Sequence, residues 1–140
     1  MSKFKFYLLS FTWGLPMTLI GCVAALVLLV AGKKPTKYGY CLRFEVGNCW
    51  GGASIGFVLI TSRTVSTNIK NHEVGHSIQN CYWGILTPFV ISIPSVIRYW
   101  YRELKYYRKG LTPPTAYDDF WAEADATIRG TEFIESLGEK

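Results

Sequence analysis

With 140 residues, 49% of them hydrophobic, 16% aromatic, and a positive mean hydropathy, the chain can bury one modest core but not two independent ones. Its net charge of +5 is uneven: six basic residues face Glu45 alone between Lys33 and Lys70, five face Glu103 alone between Arg98 and Lys109, and the acids gather from Asp118 onward. These basic stretches flank apolar ones, which suits anionic lipid headgroups; no nucleic-acid module accompanies them, so nucleic acid is not an expected partner.

In chain order, Lys3 and Lys5 precede an uncharged apolar run from Phe6 to Ala31. At about 1.5 Å per residue a helix of that length reaches roughly 39 Å, enough to span a bilayer. The run is too long for an ordinary signal-peptide core and ends without a small-x-small cleavage site. Residues 1–32 are therefore expected to form a transmembrane anchor, with 33–140 as one metal-binding domain.

From Tyr40 to Val46 the period changes to strand alternation: Tyr40, Leu42, Phe44 and Val46 share one face, and Cys41, Arg43 and Glu45 share the other. Turn residues at Gly47-Asn48 and Gly51-Gly52 lead to a second apolar strand, Ser54–Thr61, which predicts a β-hairpin. Cys22, Cys41, Cys49 and Cys81 form no C-x-x-C pair, so neither a zinc ribbon nor a disulfide framework is supported.

The next segment carries the chemistry. The only two histidines of the chain stand in His72-Glu73-Val74-Gly75-His76, on a helix expected from Thr67 or Asn68 to Gly84. Residues i and i+4 share a helix face, so both imidazoles converge on one point and offer two zinc ligands, while Glu73 can act as general base toward a zinc-activated water. Gly75 costs helix stability, which is understandable if its bare Cα allows close packing beside the site.

An apolar stretch follows at 84–101, broken by Pro88 and Pro94. It is expected to re-enter the membrane rather than cross it as one regular helix. Arg98–Lys109, basic and rich in Tyr and Trp, has the composition of a membrane–water interface. After Pro113-Pro114, Thr115-x-x-Asp118 reads as the start of a helix ending at Gly130, with a short helix over Glu132–Leu137.

A catalytic zinc site needs a third protein ligand. With no third histidine, the candidates are Asp118, Asp119, Glu123 and Asp125, with Cys81 more remote. Asp118 and Asp119 have an ordinary role in complementing a helix dipole, whereas Glu123 projects from mid-helix without one and is the expected ligand.

His72-Glu73-Val74-Gly75-His76, an apolar segment and then Glu123-x-x-Ala126 resemble the gluzincin layout of membrane zinc endopeptidases, among them the HtpX heat-shock proteases and the prenyl-protein (CAAX) endopeptidases. The block running on through Ser77 and Gln79 is also similar to H-E-x-G-H-S-x-Q in small bacterial membrane proteins. The resemblance covers roughly Gly51–Gly130. It implies an α+β membrane protein that holds Zn2+ on His72, His76 and Glu123 and hydrolyses peptide bonds with Glu73 as base. In those peptidases an aspartate four residues after the glutamate supports a zinc-bound histidine; here that position is Thr127, so Thr127 or Asp119 must orient the ligands. A tyrosine or Arg129 is expected to help polarise the carbonyl. Basic residues on both sides of 84–101 predict a site on the cytoplasmic face of the cell membrane. The alternative function is a membrane-anchored metal-binding protein without efficient turnover.

Overall fold

The N-terminal apolar run does not form one rod. In a computed structural model that describes residues 1–138, it is divided into α1 (Lys3–Phe11) and α2 (Leu15–Val30), which meet at 94°. Pro16 explains the break, because its ring would clash with the carbonyl four residues back if α1 continued, and it occupies the first turn of α2 instead. Among the described residues no single helix is long and apolar enough to cross a membrane; α1 with α2 meets the length and composition requirement only as a bent pair. The single helix expected over 1–32 is corrected to this pair, and the expected domain end at 140 lies outside the described residues.

The expected hairpin between Tyr40–Val46 and Ser54–Thr61 is also corrected. Four strands, β1 (Thr36–Tyr38), β2 (Cys41–Glu45), β3 (Gly52–Ile55) and β4 (Val58–Thr61), form one sheet in the order β1-β2-β4-β3. Glycine is the reason. Gly56 takes φ 63° as the first residue of a two-residue turn, so the stretch from Gly52 to Thr61 folds on itself as the antiparallel pair β3–β4. Gly39, at φ 56°, does the same between β1 and β2. β2 and β4 then run parallel, with Leu42 opposite Val58 and Glu45 opposite Thr61. This leaves β3 at the edge of the sheet.

The alternation in β2 reflects burial on both faces. Phe44 and Val58 pack with Ala25 of α2 on one side, while Cys41 and Leu59 join Phe6, Val74, Ile78, Phe133 and Ile134 on the other. The second group is the main core, and it lies against α3 (Thr67–Trp83) and α5 (Trp121–Ser136). Ser66, rather than Thr67 or Asn68, caps α3, accepting from the Ile69 amide at 3.4 Å. Gly84 ends it as expected, at φ 53°.

Over 84–101 the chain is not one regular helix, and it bends at the beginning of that segment. Gly84–Leu86 forms a short 3-10 turn that continues α3, Pro88–Ser92 a π turn that leads into α4 (Ile93–Lys105), and the run from Pro88 onward is bent by 117° from the one ending at Leu86. Each proline sits in the first turn of a helical piece, where its missing N–H has no partner to lose. The connection returns through a 3-10 turn at Tyr117–Asp119 to α5, which passes through Gly130 without stopping there or opening a separate helix at Glu132.

Gly130 is tolerated because α3 and α5 cross there. A Cβ at Gly130 would collide with the Asn71 carbonyl, and one at Gly75 would collide with the Ala126 carbonyl. Two bare Cα positions therefore let the helix backbones touch, as expected for Gly75, and this contact sets the functional geometry.

Candidate metal centre

α3 presents His72 and His76 one turn apart toward α5, and α5 presents Glu123 toward them. The Nε2 atoms of His72 and His76 lie 3.0 and 3.4 Å from Glu123 Oε2 and 3.2 Å from each other. Ligand atoms around a tetrahedral zinc with bonds of about 2.0–2.1 Å stand roughly 3.3 Å apart, so this triangle has the dimensions of three ligands. The three atoms form a group able to hold a metal ion.

Hydrogen bonding behind the ligands fixes which imidazole nitrogens face the centre. His76 Nδ1 is 2.8 Å from Gln79 Oε1, and Gln79 Nε2 donates to Ala122 O at 2.8 Å and to Asp125 Oδ2 at 2.9 Å. With both amide hydrogens committed to acceptors, Gln79 offers only its oxygen, so Nδ1 of His76 carries the hydrogen. Thr127 acts similarly: its hydroxyl donates to Asp118 Oδ2 at 3.3 Å and accepts from His72 Nδ1 at 2.8 Å. Both Nε2 lone pairs are thereby directed at Glu123. This carboxylate is 1% exposed, and among the described residues neither of its oxygens has a well-formed hydrogen bond. Three lone-pair donors brought together in a buried position require a cation, either a proton or a metal.

The electrostatics agree. Burial alone would raise the pKa of Glu123, but the adjoining His72 and His76 outweigh it and hold the carboxyl well below its usual range. For His76, burial opposes the charged form while Glu123 and Glu73 favour it more strongly, so its pKa is raised. Glu73 packs against β3, where a Cβ on Gly52 would crowd its side chain. Burial lifts its pKa above the ordinary carboxylate value, against the pull of His76 and His72.

The remaining candidates separate cleanly. Asp119 does not support the ligands; it accepts from the Ala116 amide at 2.9 Å and caps its own turn. Asp118 anchors Thr127, and Asp125 anchors Gln79 while pairing with Arg129 at 2.7 Å, so neither joins the triangle. That pairing holds Arg129 beside the Tyr82 ring. Cys81 lies in the main core. Two contributors went unassigned by sequence reasoning. Gln79 was visible as the i+3 neighbour of His76 on the same helix. Tyr117, whose ring centre is 6.4 Å from that of His72, comes from a turn that no periodicity marks. Burial, with Glu123 and Glu73 nearby, raises the pKa of its phenol.

A cavity of about 510 Å³ opens over the triangle, lined by His72, Glu73, His76, Glu123, Tyr117 and the residues of β3. Its walls are mostly apolar, with Met17, Ile91, Val96 and Trp100 among them. No family model matches this chain, and no curated protein or solved structure matches it.

Proposed function

We propose that the chain is a membrane-associated zinc metallopeptidase whose metal is held by His72, His76 and Glu123. The observation that carries this is the locked orientation of both imidazoles, with their Nε2 atoms and an oxygen of the buried Glu123 carboxylate within 3.4 Å of one another. The all-nitrogen-and-oxygen set suits zinc, and with three protein ligands it leaves a coordination position for chemistry.

Zinc bound there supplies an acidified water and a Lewis acid for a carbonyl oxygen. Glu73 takes the proton of the attacking water and passes it to the leaving amine. Tyr117, kept protonated, serves as a hydrogen-bond donor to the developing oxyanion. The edge strand is β3 rather than the whole of Ser54–Thr61, and its residues line the cavity, so a substrate peptide in extended form can add to it by backbone hydrogen bonds.

Membrane association is supported by exposed apolar side chains on two parts of the chain: Leu19, Ile20, Val23 and Val27 on α2, and Phe89 of the π turn with Ile93 and Ile97 of α4. Basic residues border these surfaces, which favours the cytoplasmic leaflet. The substrate is accordingly a peptide or membrane-protein segment presented at that face.

Replacing Glu73 with Gln tests the enzymatic reading. Proteolysis should vanish while stoichiometric zinc, measured by elemental analysis, is retained. Wild-type protein that holds zinc but never cleaves would instead identify a metal-binding protein, and wild-type protein without zinc would refute both.

A further inference from the structure

The cavity extends past the metal ligands along α3. His72, His76 and Asn80 follow at intervals of four, so they share one stripe of the helix, and all three line the cavity. Asn80 is 1% exposed; its Nδ2 donates to the Gly14 carbonyl at 3.3 Å, while its Oδ1 has no partner among the described residues. Thr87, just beyond the Gly84 turn, is 3% exposed and lines the same cavity, and its hydroxyl likewise has no partner among the described residues. Neither group is used by the metal centre. Buried polar atoms without partners are uncommon because their lost hydration is uncompensated, and besides Glu123 three residues that line this cavity, Asn80, Thr87 and Ser95, each carry one.

Their chemistry defines a ligand. Asn80 has committed an amide hydrogen to Gly14, so its unpartnered oxygen is left as an acceptor, and Thr87 can donate as well as accept. A carboxylate would bring lone pairs against Asn80 Oδ1. An ammonium group would bring its charge between apolar walls, with no acid at Asn80 or Thr87 to neutralise it. A primary carboxamide satisfies both: its N–H donates to Asn80 and its oxygen accepts from Thr87. We infer that Asn80 and Thr87 form a subsite for the side chain of a glutamine or asparagine in the substrate. This rests on the metallopeptidase reading and adds its specificity.

The position is consistent with a peptide bound on β3. β3 runs alongside α3 in the same direction, with Gly52 against Glu73 and Ser54 Oγ 2.9 Å from Ser77 Oγ. Asn80 lies one turn past His76, a rise of about 6 Å, which corresponds to about two residues of an extended chain. The carboxamide therefore belongs within about two residues of the scissile bond.

The test uses zinc-loaded full-length protein and dipeptide hydroxamates that anchor at the metal, carrying glutamine or norleucine at either position. Wild type should bind the glutamine compound about tenfold more tightly at one position. Thr87→Val, which keeps the side-chain shape, should abolish the preference, and Asn80→Leu should do the same if the loss of its tie to Gly14 leaves it folded. No binding, or equal binding of both compounds, with zinc at full stoichiometry overturns the subsite and leaves the metal centre standing; a corner filled only by water gives this result. A preference that survives Thr87→Val also overturns it. Wild-type protein without zinc brings down the metallopeptidase reading and the subsite together.

Discussion

At the scale of single residues, the centre depends on how the side of each imidazole away from the metal is held. Thr127 stands where a direct carboxylate partner is expected, and the structure supplies that carboxylate one step further away, through the Thr127 hydroxyl to Asp118. A threonine bridge fixes the tautomer as an aspartate would, although it transmits less negative charge to the ring. Thr127→Val removes the bridge without changing shape, and zinc affinity measured by chelator competition should fall about 10–100-fold. Gln79→Leu should have a comparable effect through His76, whereas Asp119→Ala, which removes only a turn cap, should leave zinc affinity unchanged. The group that could hold a metal was legible in the sequence because helical spacing and elimination among few candidates converge on His72, His76 and Glu123, which the fold brings together. Their supporting shell was not: Asp118 and Asp125 serve it through intermediaries, Thr127 and Gln79, and such two-step contacts have no sequence period.

At the scale of elements, the crossing of α3 and α5 is what brings ligands 47 positions apart in the chain (76 to 123) into contact. Gly75 and Gly130 make it possible, each occupying a point where the facing backbone leaves no space for a methyl group. Gly130→Ala therefore separates the helices rather than filling a gap. Overpacking of this kind typically costs about 1–3 kcal/mol, and here the separation falls on the ligands as well. Melting in detergent should show a lowered Tm, and the purified variant should hold less than stoichiometric zinc. A stable, fully loaded Gly130→Ala protein would contradict this role. The same pair shows why elements were partly misread. Gly130 looks like a helix stop until the partner helix is known, and Gly56 lies inside an apolar run that reads as one strand until its left-handed turn divides it. Glycine signals a special backbone position, but only tertiary context tells whether that is a turn or a close approach.

At the scale of the whole molecule, the buried charges couple the metal to stability. Without metal, the raised pKa of His76 means that its contact with Glu123 contributes stability fully below the ordinary imidazole value of about 6.5, and the contribution is lost as pH rises through the folded-state value. The lowered pKa of Glu123 works oppositely, contributing above the ordinary carboxylate value of about 4.3 and failing as pH falls through the folded-state value. The metal-free centre is thus best satisfied between these limits, with a proton where the metal would sit. Zinc must displace that proton, so its binding strengthens as pH rises. The zinc-loaded minus chelator-treated difference in Tm should therefore widen from about pH 6 to about pH 8. A difference that stays flat or narrows over that range would show that no proton is released on binding, and would overturn the protonated metal-free centre. Since the measurement compares one protein with itself in one detergent, any pH dependence of α1, α2 or α4 in the micelle cancels to first order, leaving the proton exchange at the centre as the term observed.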